Sequence, residues 1–376
     1  MEPRDLSSHA EYVPGEGIEE VARELGVDPD SLIKLASNEN PLGPPDAAVD
    51  ALREHADGIS AYPTSAHADL TSSIADRWAI DDEQVWLSAG ADGAIDLLHR
   101  ATIDPGQSIL APEPGFAYYP MSARYHHGEV THYNVPKDRD FAVTPDALLE
   151  AYDGERVVYL TSPHNPTGAT VALDDVEEIA DRTGEETLIV VDEAYGEFAD
   201  VESARTLLEE RTDVAVLRTF SKAYGLAGLR LGYALVPEKW ADAYARINTP
   251  FAVSELACRA GLAAMETDDH VERSVEVVEW AREYMTAEID APTWESGGNF
   301  LLVEVGDATA VAEALKREGV IVRDCTSFGL PECIRITCGT EDQTAEAVEA
   351  VNDVLADLNR GDAESADEEA EAVTDQ

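Results

Sequence analysis

The chain has 376 residues, with 26 basic and 77 acidic side chains and a formal net charge of −51 at pH 7. Its hydrophobic content is an ordinary 44%, enough for one large core plus a smaller lobe, which excludes a disordered chain. The acid is spread along the whole length, which argues against a nucleic-acid partner, since phosphate contacts need basic patches, and fits a surface whose self-repulsion is screened by high salt.

Met1 to Ala10 has no charged segment followed by an apolar run, so no signal peptide is expected. No apolar run approaches the length that spans a bilayer, and a cytoplasmic protein is expected. Cys258, Cys325, Cys333 and Cys338 show neither a C-x-x-C pair nor metal-ligand spacing. They are expected to be buried free thiols, with no metal site.

In chain order, residues 1–36 form an N-terminal segment with a Tyr12-Val13-Pro14-Gly15 turn and helical spacing over Ile18 to Leu25. Ser37 to Pro45 reads as a loop, Asp46 to Glu54 as a short helix capped by Asp46, Ala61-Tyr62-Pro63 as a break and Ala68 to Trp78 as a helix. From Gln84 strands and helices alternate. Strands are predicted at Val85 to Ser88, Ser108 to Ala111, Arg156 to Thr161, Thr187 to Val191, Val214 to Thr219 and Tyr233 to Val236. Helices are predicted at Ala94 to Thr102 and Leu173 to Arg182. This texture over residues 37–254 predicts an α/β domain with a largely parallel sheet covered on both faces.

Beyond Pro250 an amphipathic segment, Glu255 to Ile289, leads into a lobe over residues 255–360. That lobe reads strand (Phe300 to Val305), helix (Thr309 to Glu318), strand (Val320 to Arg323), strand (Cys333 to Thr337), helix (Gln343 to Leu358). Residues 361–376 are acidic and poor in apolar groups, the composition of a disordered tail.

Lysine is scarce: Lys34, Lys137, Lys222, Lys239 and Lys316 are all there are. Lys222 lies in a strand-to-strand loop, Arg218 to Gly232, among small residues and hydroxyls. One reading is an amine that forms a Schiff base with a carbonyl cofactor, with Thr219, Ser221 and Arg230 on that cofactor's phosphate. The other is a solvated lysine in a polar loop. Other candidates also fall at strand carboxyl ends, where open α/β sheets bind ligands. Gly90-Ala91-Asp92 precedes a helix whose N–H groups can hold a phosphate, or is an ordinary glycine turn. Asn165 opens an Asn-Pro-Thr-Gly turn. Asp192 ends an apolar strand, where a carboxylate needs a partner such as a pyridinium nitrogen, or else caps the next helix. Tyr195 follows three residues later, either beside the ligand or in the core.

Taken in order, Gly90-Ala91-Asp92, Phe116, Asn165-Pro166-Thr167-Gly168, Asp192-Glu193-Ala194-Tyr195, Ser221-Lys222 and Arg230 resemble the pyridoxal-phosphate aminotransferases of the aspartate aminotransferase fold. The resemblance runs from about Tyr12 to Leu358. It implies a three-layer large domain with a mostly parallel mixed sheet, plus a smaller α+β domain built from both chain ends. It implies that Lys222 holds pyridoxal 5'-phosphate and shuttles the substrate proton, and that Asp192 keeps the pyridine nitrogen protonated. Asn165 and Tyr195 are implied to bond the ring's 3-oxygen, and Phe116 (or Tyr118) to stack on the ring. Gly90, Ala91, Asp92, Thr219, Ser221 and Arg230 are implied to bind the phosphate. Tyr62 matches a position that reaches the partner subunit's cofactor, implying a homodimer with shared active sites.

Within that superfamily the finer resemblance is to the histidinol-phosphate aminotransferases. It is carried by Tyr12-Val13-Pro14-Gly15, Ser37-Asn38-Glu39-Asn40-Pro41, Leu217 to Ala223, Gly225 to Arg230 and Ile334-Arg335-Ile336-Thr337. It implies transamination of L-histidinol phosphate with 2-oxoglutarate in histidine biosynthesis. Tyr12, Asn40, Asn299, Arg323 and Arg335 are the implied substrate-binding residues; an arginine fork suits a phosphate or carboxylate, and a surface role for Arg323 stays open. Ser162-Pro163-His164, Pro114-Gly115-Phe116 and Leu42 depart from the family pattern and leave open an aromatic-amino-acid aminotransferase or a threonine-phosphate decarboxylase on the same scaffold.

Overall fold

The computed structural model describes residues 6–374 apart from 8, 10, 14, 16 and 64. Most of Met1 to Ala10, and residue 14 within the Tyr12-Val13-Pro14-Gly15 turn, therefore lie outside the described residues. Eleven strands are described: β1 (Ile33–Leu35), β2 (Val85–Ser88), β3 (Ser108–Glu113), β4 (Glu129–Asn134), β5 (Val157–Thr161), β6 (Leu188–Asp192), β7 (Val214–Thr219), β8 (Gly232–Leu235), β9 (Phe300–Glu304), β10 (Val320–Asp324) and β11 (Cys333–Thr337). They form a seven-stranded sheet in the order β2-β8-β7-β6-β5-β3-β4 and a four-stranded sheet in the order β1-β10-β11-β9.

The chain divides into two compact units. The larger comprises Met1–Val13, Glu39–Glu276 and Glu295–Asn299; the smaller comprises Pro14–Asn38, Val277–Trp294 and Phe300–Gln376. The division differs in detail from the boundaries read off the sequence. The described part of Met1–Val13 groups with the larger unit, and so does the start of the long helix Asp268–Glu288.

In the larger unit, β3 to β7 pair in parallel, while β8 runs antiparallel to both β7 and β2. Strands β5, β6 and β7 are apolar nearly throughout and buried at every position, as parallel strands with helices on both faces must be. The core on one face gathers Ile95, Leu98, Tyr119, Tyr159, Val190, Leu217 and Ala234. Each such aliphatic side chain contributes about 1.5–3 kcal/mol when fully buried.

The expected Glu255 to Ile289 segment is two helices, Glu255–Met265 and Asp268–Glu288. Between them the Thr267 hydroxyl donates back to the Ala264 carbonyl at 2.7 Å and competes with helix continuation. Asp268 and Asp269 then start the second helix, where acidic groups suit the positive end of its dipole.

The smaller unit pairs β1 with β10 in parallel and β10, β11 and β9 antiparallel. Helix Ile18–Leu25 packs Val21 and Ala22 against Leu32, Ala36 and Ile321. The last helix, Glu341–Thr374, runs through residues 361–374, where composition predicted disorder. That stretch is rich in alanine and glutamate, strong helix formers that extend a helix already nucleated upstream.

Candidate active site around Lys222

The β7-to-β8 connection closes on itself, because Thr219 and Gly232 pair across the sheet at its two ends. Within it the Thr219 hydroxyl donates to Ser221 Oγ at 3.0 Å, and the Ser221 amide donates to Thr219 Oγ1 at 3.1 Å. Arg230 takes a left-handed backbone, φ 50°, and its guanidinium turns back into the loop. Nη1 donates to the Ala227 carbonyl at 3.1 Å and to Ser221 Oγ at 3.4 Å, and Nη2 to Asp92 Oδ2 at 3.1 Å. Lys222 is half-buried, with Nζ 5.4 Å from the centre of the Tyr195 ring.

Gly90 opens the helix Gly90–Thr102 at φ 77°, and a Cβ there would lie 2.5 Å from Arg230 Nη2. A Cβ on Gly232 would lie 2.6 Å from the Gly90 carbonyl carbon, so strand and helix start are in backbone contact. Among the described residues no side chain caps this helix, and a helix start without a cap can accept an anion at its first N–H groups. The Gly90-Ala91-Asp92 stretch, expected to precede a helix, is thus the first turn of the helix itself. Burial pushes the Asp92 carboxyl up, while Arg230 and Lys222 oppose the shift. Uncapped N–H groups, two hydroxyls, a guanidinium and a glycine cradle make a site whose donors fit a phosphate.

Asp192, at the end of β6, is buried. Tyr119 donates its hydroxyl to Oδ2 at 2.6 Å, and the Ala194 amide donates to Oδ1 at 3.0 Å. Burial raises this carboxyl to about 6, with both hydrogen bonds acting against the rise. Asp92 acts electrostatically on Asp192 as well as on Lys222, so the three share one field. A buried carboxylate with no cation hydrogen-bonded to it among the described residues suits a protonated ring nitrogen.

The Asn165 turn is anchored beside Asp192 by the Ser162 amide, which donates to the Asp192 carbonyl at 2.9 Å, and is closed by Gly168 N–H to the His164 carbonyl at 2.6 Å. Phe116 meets Tyr119 edge-on at 5.5 Å and Tyr12 edge-on at 6.4 Å. Tyr118 lies 6.4 Å from Phe116. Asn299 is buried, with Nδ2 donating to the Glu39 carbonyl at 3.3 Å.

Tyr62 makes its ring contact elsewhere, stacking on Phe251 at 4.6 Å while 76% exposed. Arg323 and Arg335 are in the smaller unit, directly opposite each other across β10 and β11. Arg335 is buried against Phe300 and Phe328 and donates to the Ala36 carbonyl at 3.0 Å; Arg323 lies over Phe328 and donates to Ser327 Oγ at 3.0 Å.

Asn40, expected among the substrate contacts, has both ends of its amide engaged within the chain. Nδ2 donates to the carbonyls of Lys222 and Ala223 at 3.1 and 2.9 Å and to Ser274 Oγ at 2.9 Å, and Oδ1 accepts from the Leu42 amide at 2.9 Å. Tyr119 is the residue that sequence reading missed. Its signal was the aromatic run Phe116-Ala117-Tyr118-Tyr119, and its burial depends on a helix, Tyr118–Tyr125, that periodicity did not show.

The model of aminotransferase class I and II matches residues 30–351. The chain is 65% identical over 358 residues to the histidinol-phosphate aminotransferase of Haloarcula marismortui, covering 95% of this chain and 99% of that protein. It is 64% identical over 361 residues to that of Halorubrum lacusprofundi, covering 96% and 99%. Among solved structures it is similar to histidinol-phosphate aminotransferase from Sinorhizobium meliloti in complex with pyridoxal-5'-phosphate, with a TM-score of 0.82, 26% identity and coverage of 92% and 96%. A single mutant of Thermus thermophilus aspartate aminotransferase, at 22% identity and TM-score 0.77 over 89% and 93% of the two chains, shares the fold. By these matches the chain belongs to the class I and II aminotransferase family.

Proposed function

We propose that this chain is a pyridoxal-phosphate-dependent enzyme of histidine biosynthesis that moves the amino group of L-histidinol phosphate to 2-oxoglutarate, giving imidazole acetol phosphate and glutamate. The observation that carries the reading is Lys222 over the Tyr195 ring, sharing one electrostatic field with Asp92 and the buried Asp192. The names of the relatives from Haloarcula marismortui and Halorubrum lacusprofundi support the substrate.

When bound, the cofactor supplies an electron sink for charge developing at the substrate carbon. Lys222 Nζ would hold the cofactor and would serve as the base that takes the proton from that carbon. Asp192, steadied by Tyr119, keeps a proton on the ring nitrogen. Asn165 and Tyr195 bond the ring's oxygen, and Phe116 covers the ring. The N–H groups of Gly90, Ala91 and Asp92, with Thr219, Ser221 and Arg230, take the phosphate. Tyr12 and Asn299 contact substrate. Arg323 and Arg335 take its anionic group, bidentate geometry favouring arginine there.

The enzyme works as a cytoplasmic homodimer, with Tyr62 serving the partner's cofactor. Support comes from an exposed apolar cluster on the larger unit, Tyr62 stacked on Phe251, both open to solvent. Among the described residues no helix is long and apolar enough to cross a membrane.

One half-reaction tests the assignment. Protein in molar potassium chloride with pyridoxal phosphate is followed by visible absorbance, and histidinol phosphate, phenylalanine or threonine phosphate is added separately. Bleaching with histidinol phosphate alone is expected. Bleaching with phenylalanine alone makes the enzyme an aromatic aminotransferase, and carbon dioxide from threonine phosphate makes it a lyase. Absence of any visible band overturns the cofactor reading.

A further inference from the structure

The loop Glu39 to Pro45 is far from Lys222 in sequence, yet it is docked on the backbone that carries the lysine. Two independent observations fix the docking. The first is Asn40, whose amide donates to the carbonyls of both Lys222 and Ala223 and to Ser274 Oγ on helix Asp268–Glu288, while its oxygen accepts from the Leu42 amide. The second is a close approach of backbones: Gly225 sits at φ 66°, and a Cβ there would collide with the Gly43 carbonyl oxygen. The Gly225 amide in turn donates to the Lys222 carbonyl at 3.0 Å, so Lys222 O receives donors from its own loop and from Asn40. Ser274 is held as well, its hydroxyl donating to the His270 carbonyl at 2.8 Å.

A lysine that alternates between holding a cofactor and carrying a proton has a mobile side chain with four rotatable bonds. The precision of its reach then depends on how firmly its Cα is held. Bonding the Lys222 and Ala223 carbonyls holds two successive peptide planes, Lys222–Ala223 and Ala223–Tyr224, without touching the amine. We infer that Asn40 is a positioning residue for Lys222, acting through the Lys222 and Ala223 carbonyls, and that the Asn40–Gly43 loop is the clamp that sets where the amine can reach. The inference rests on the proposed role of Lys222.

Asn40→Ala removes every bond of the clamp at this residue without adding charge. Ser274→Ala removes the third acceptor only and leaves both loop carbonyls bonded. Asn40→Gln keeps the donors on a longer arm and serves where Asn40→Ala does not fold. The protein is loaded with pyridoxal phosphate, reduced with borohydride and mapped for the modified lysine. The pH midpoint of the visible absorbance and the half-reaction rate are then measured. Asn40→Ala is expected to capture cofactor at Lys222, to move the midpoint, and to slow the half-reaction by roughly 10- to 100-fold, the scale of a small misplacement of a reacting group. Asn40→Gln should fall between it and the parent, and Ser274→Ala should stay within about twofold of the parent on this scale. An unmoved midpoint and rate in Asn40→Ala overturn the inference, and so does a loss in Ser274→Ala as large as in Asn40→Ala. A parent protein that captures no cofactor at Lys222 overturns instead the functional reading beneath it.

Discussion

The carboxyl end of the larger sheet has two faces, and adjacent residues on the same strands serve them differently. Strand alternation sends Asp192 and Thr219 one way and their neighbours Glu193 and Arg218 the other. On the second face the charges of Glu193 and Glu197 meet that of Arg218. Arg218, buried over the Trp78 ring, donates to Glu193 at 2.8 Å and Glu197 at 2.6 Å, and Glu193 also accepts from the Ser203 hydroxyl and the Ala204 amide, both at 2.7 Å. Burial would lower the Arg218 guanidinium, but Glu197 and Glu193 hold it above its ordinary value. On the first face Asp192 has two neutral donors and, among the described residues, no cation hydrogen-bonded to it, and burial leaves its carboxyl raised to about 6. One face neutralises its charges and stabilises; the other keeps a charge underneutralised, which is how a site for a cationic ring is recognised.

Four substitutions and conditions test that contrast. Lys222→Ala should abolish covalent cofactor retention and slow turnover by about 10²–10⁴-fold, the usual worth of a positioned proton carrier; retained turnover would sink the lysine assignment. Arg218→Met leaves Glu193 buried without its cation and should cost about 3–5 kcal/mol in unfolding free energy. The absorbance midpoint of cofactor at Lys222 should stay where it was, and a moved midpoint would mean that the two faces are coupled.

Asp192→Asn should slow the half-reaction by about 10²-fold, as loss of one preorganised electrostatic partner does. Its cofactor-free form should nevertheless melt above the parent at pH 7. The parent's carboxyl binds its proton more tightly folded than unfolded, so between the ordinary 3.8 and about 6 folding grows less favourable as pH rises. The loss at neutral pH amounts to roughly 3 kcal/mol, from about two units at 1.36 kcal/mol each. Denaturant midpoints of cofactor-free parent across pH 4 to 7 should therefore fall relative to those of Asp192→Asn. Parallel curves would show that Asp192 is not strained by burial.

Much of this was legible in the chain because parallel strands leave a strong imprint. Val214 to Thr219 and Leu188 to Asp192 are apolar runs ending in polar residues, and the candidate site residues fall at those ends. Strand β4, Glu-Val-Thr-His-Tyr-Asn, was not seen, because an edge strand open to solvent carries polar residues at most positions. Strand β1 was missed because three residues are too few to show a period. The candidate site residues were singled out by their places at strand ends and by the family resemblance, but their partners within the chain were not. Nothing near Asn40 in sequence points to a lysine 182 positions away, and nothing in Tyr119 marks it as the donor to Asp192. Such pairings exist only once the sheet order is set.

That order has a consequence for how the protein is made. The lysine loop is pinned at both ends by the β7–β8 pairing, and β8 is itself held on its other edge by β2, from the first quarter of the chain. Its outer rim then waits for Asn40, from earlier still. Contacts so distant in sequence form slowly, after much loop closure has already been overcome. On the proposed role of Lys222, the amine reaches its working position among the last events of folding, and the yellow colour of captured cofactor would serve as a clock for the completion of the fold, developing after helix content has already returned.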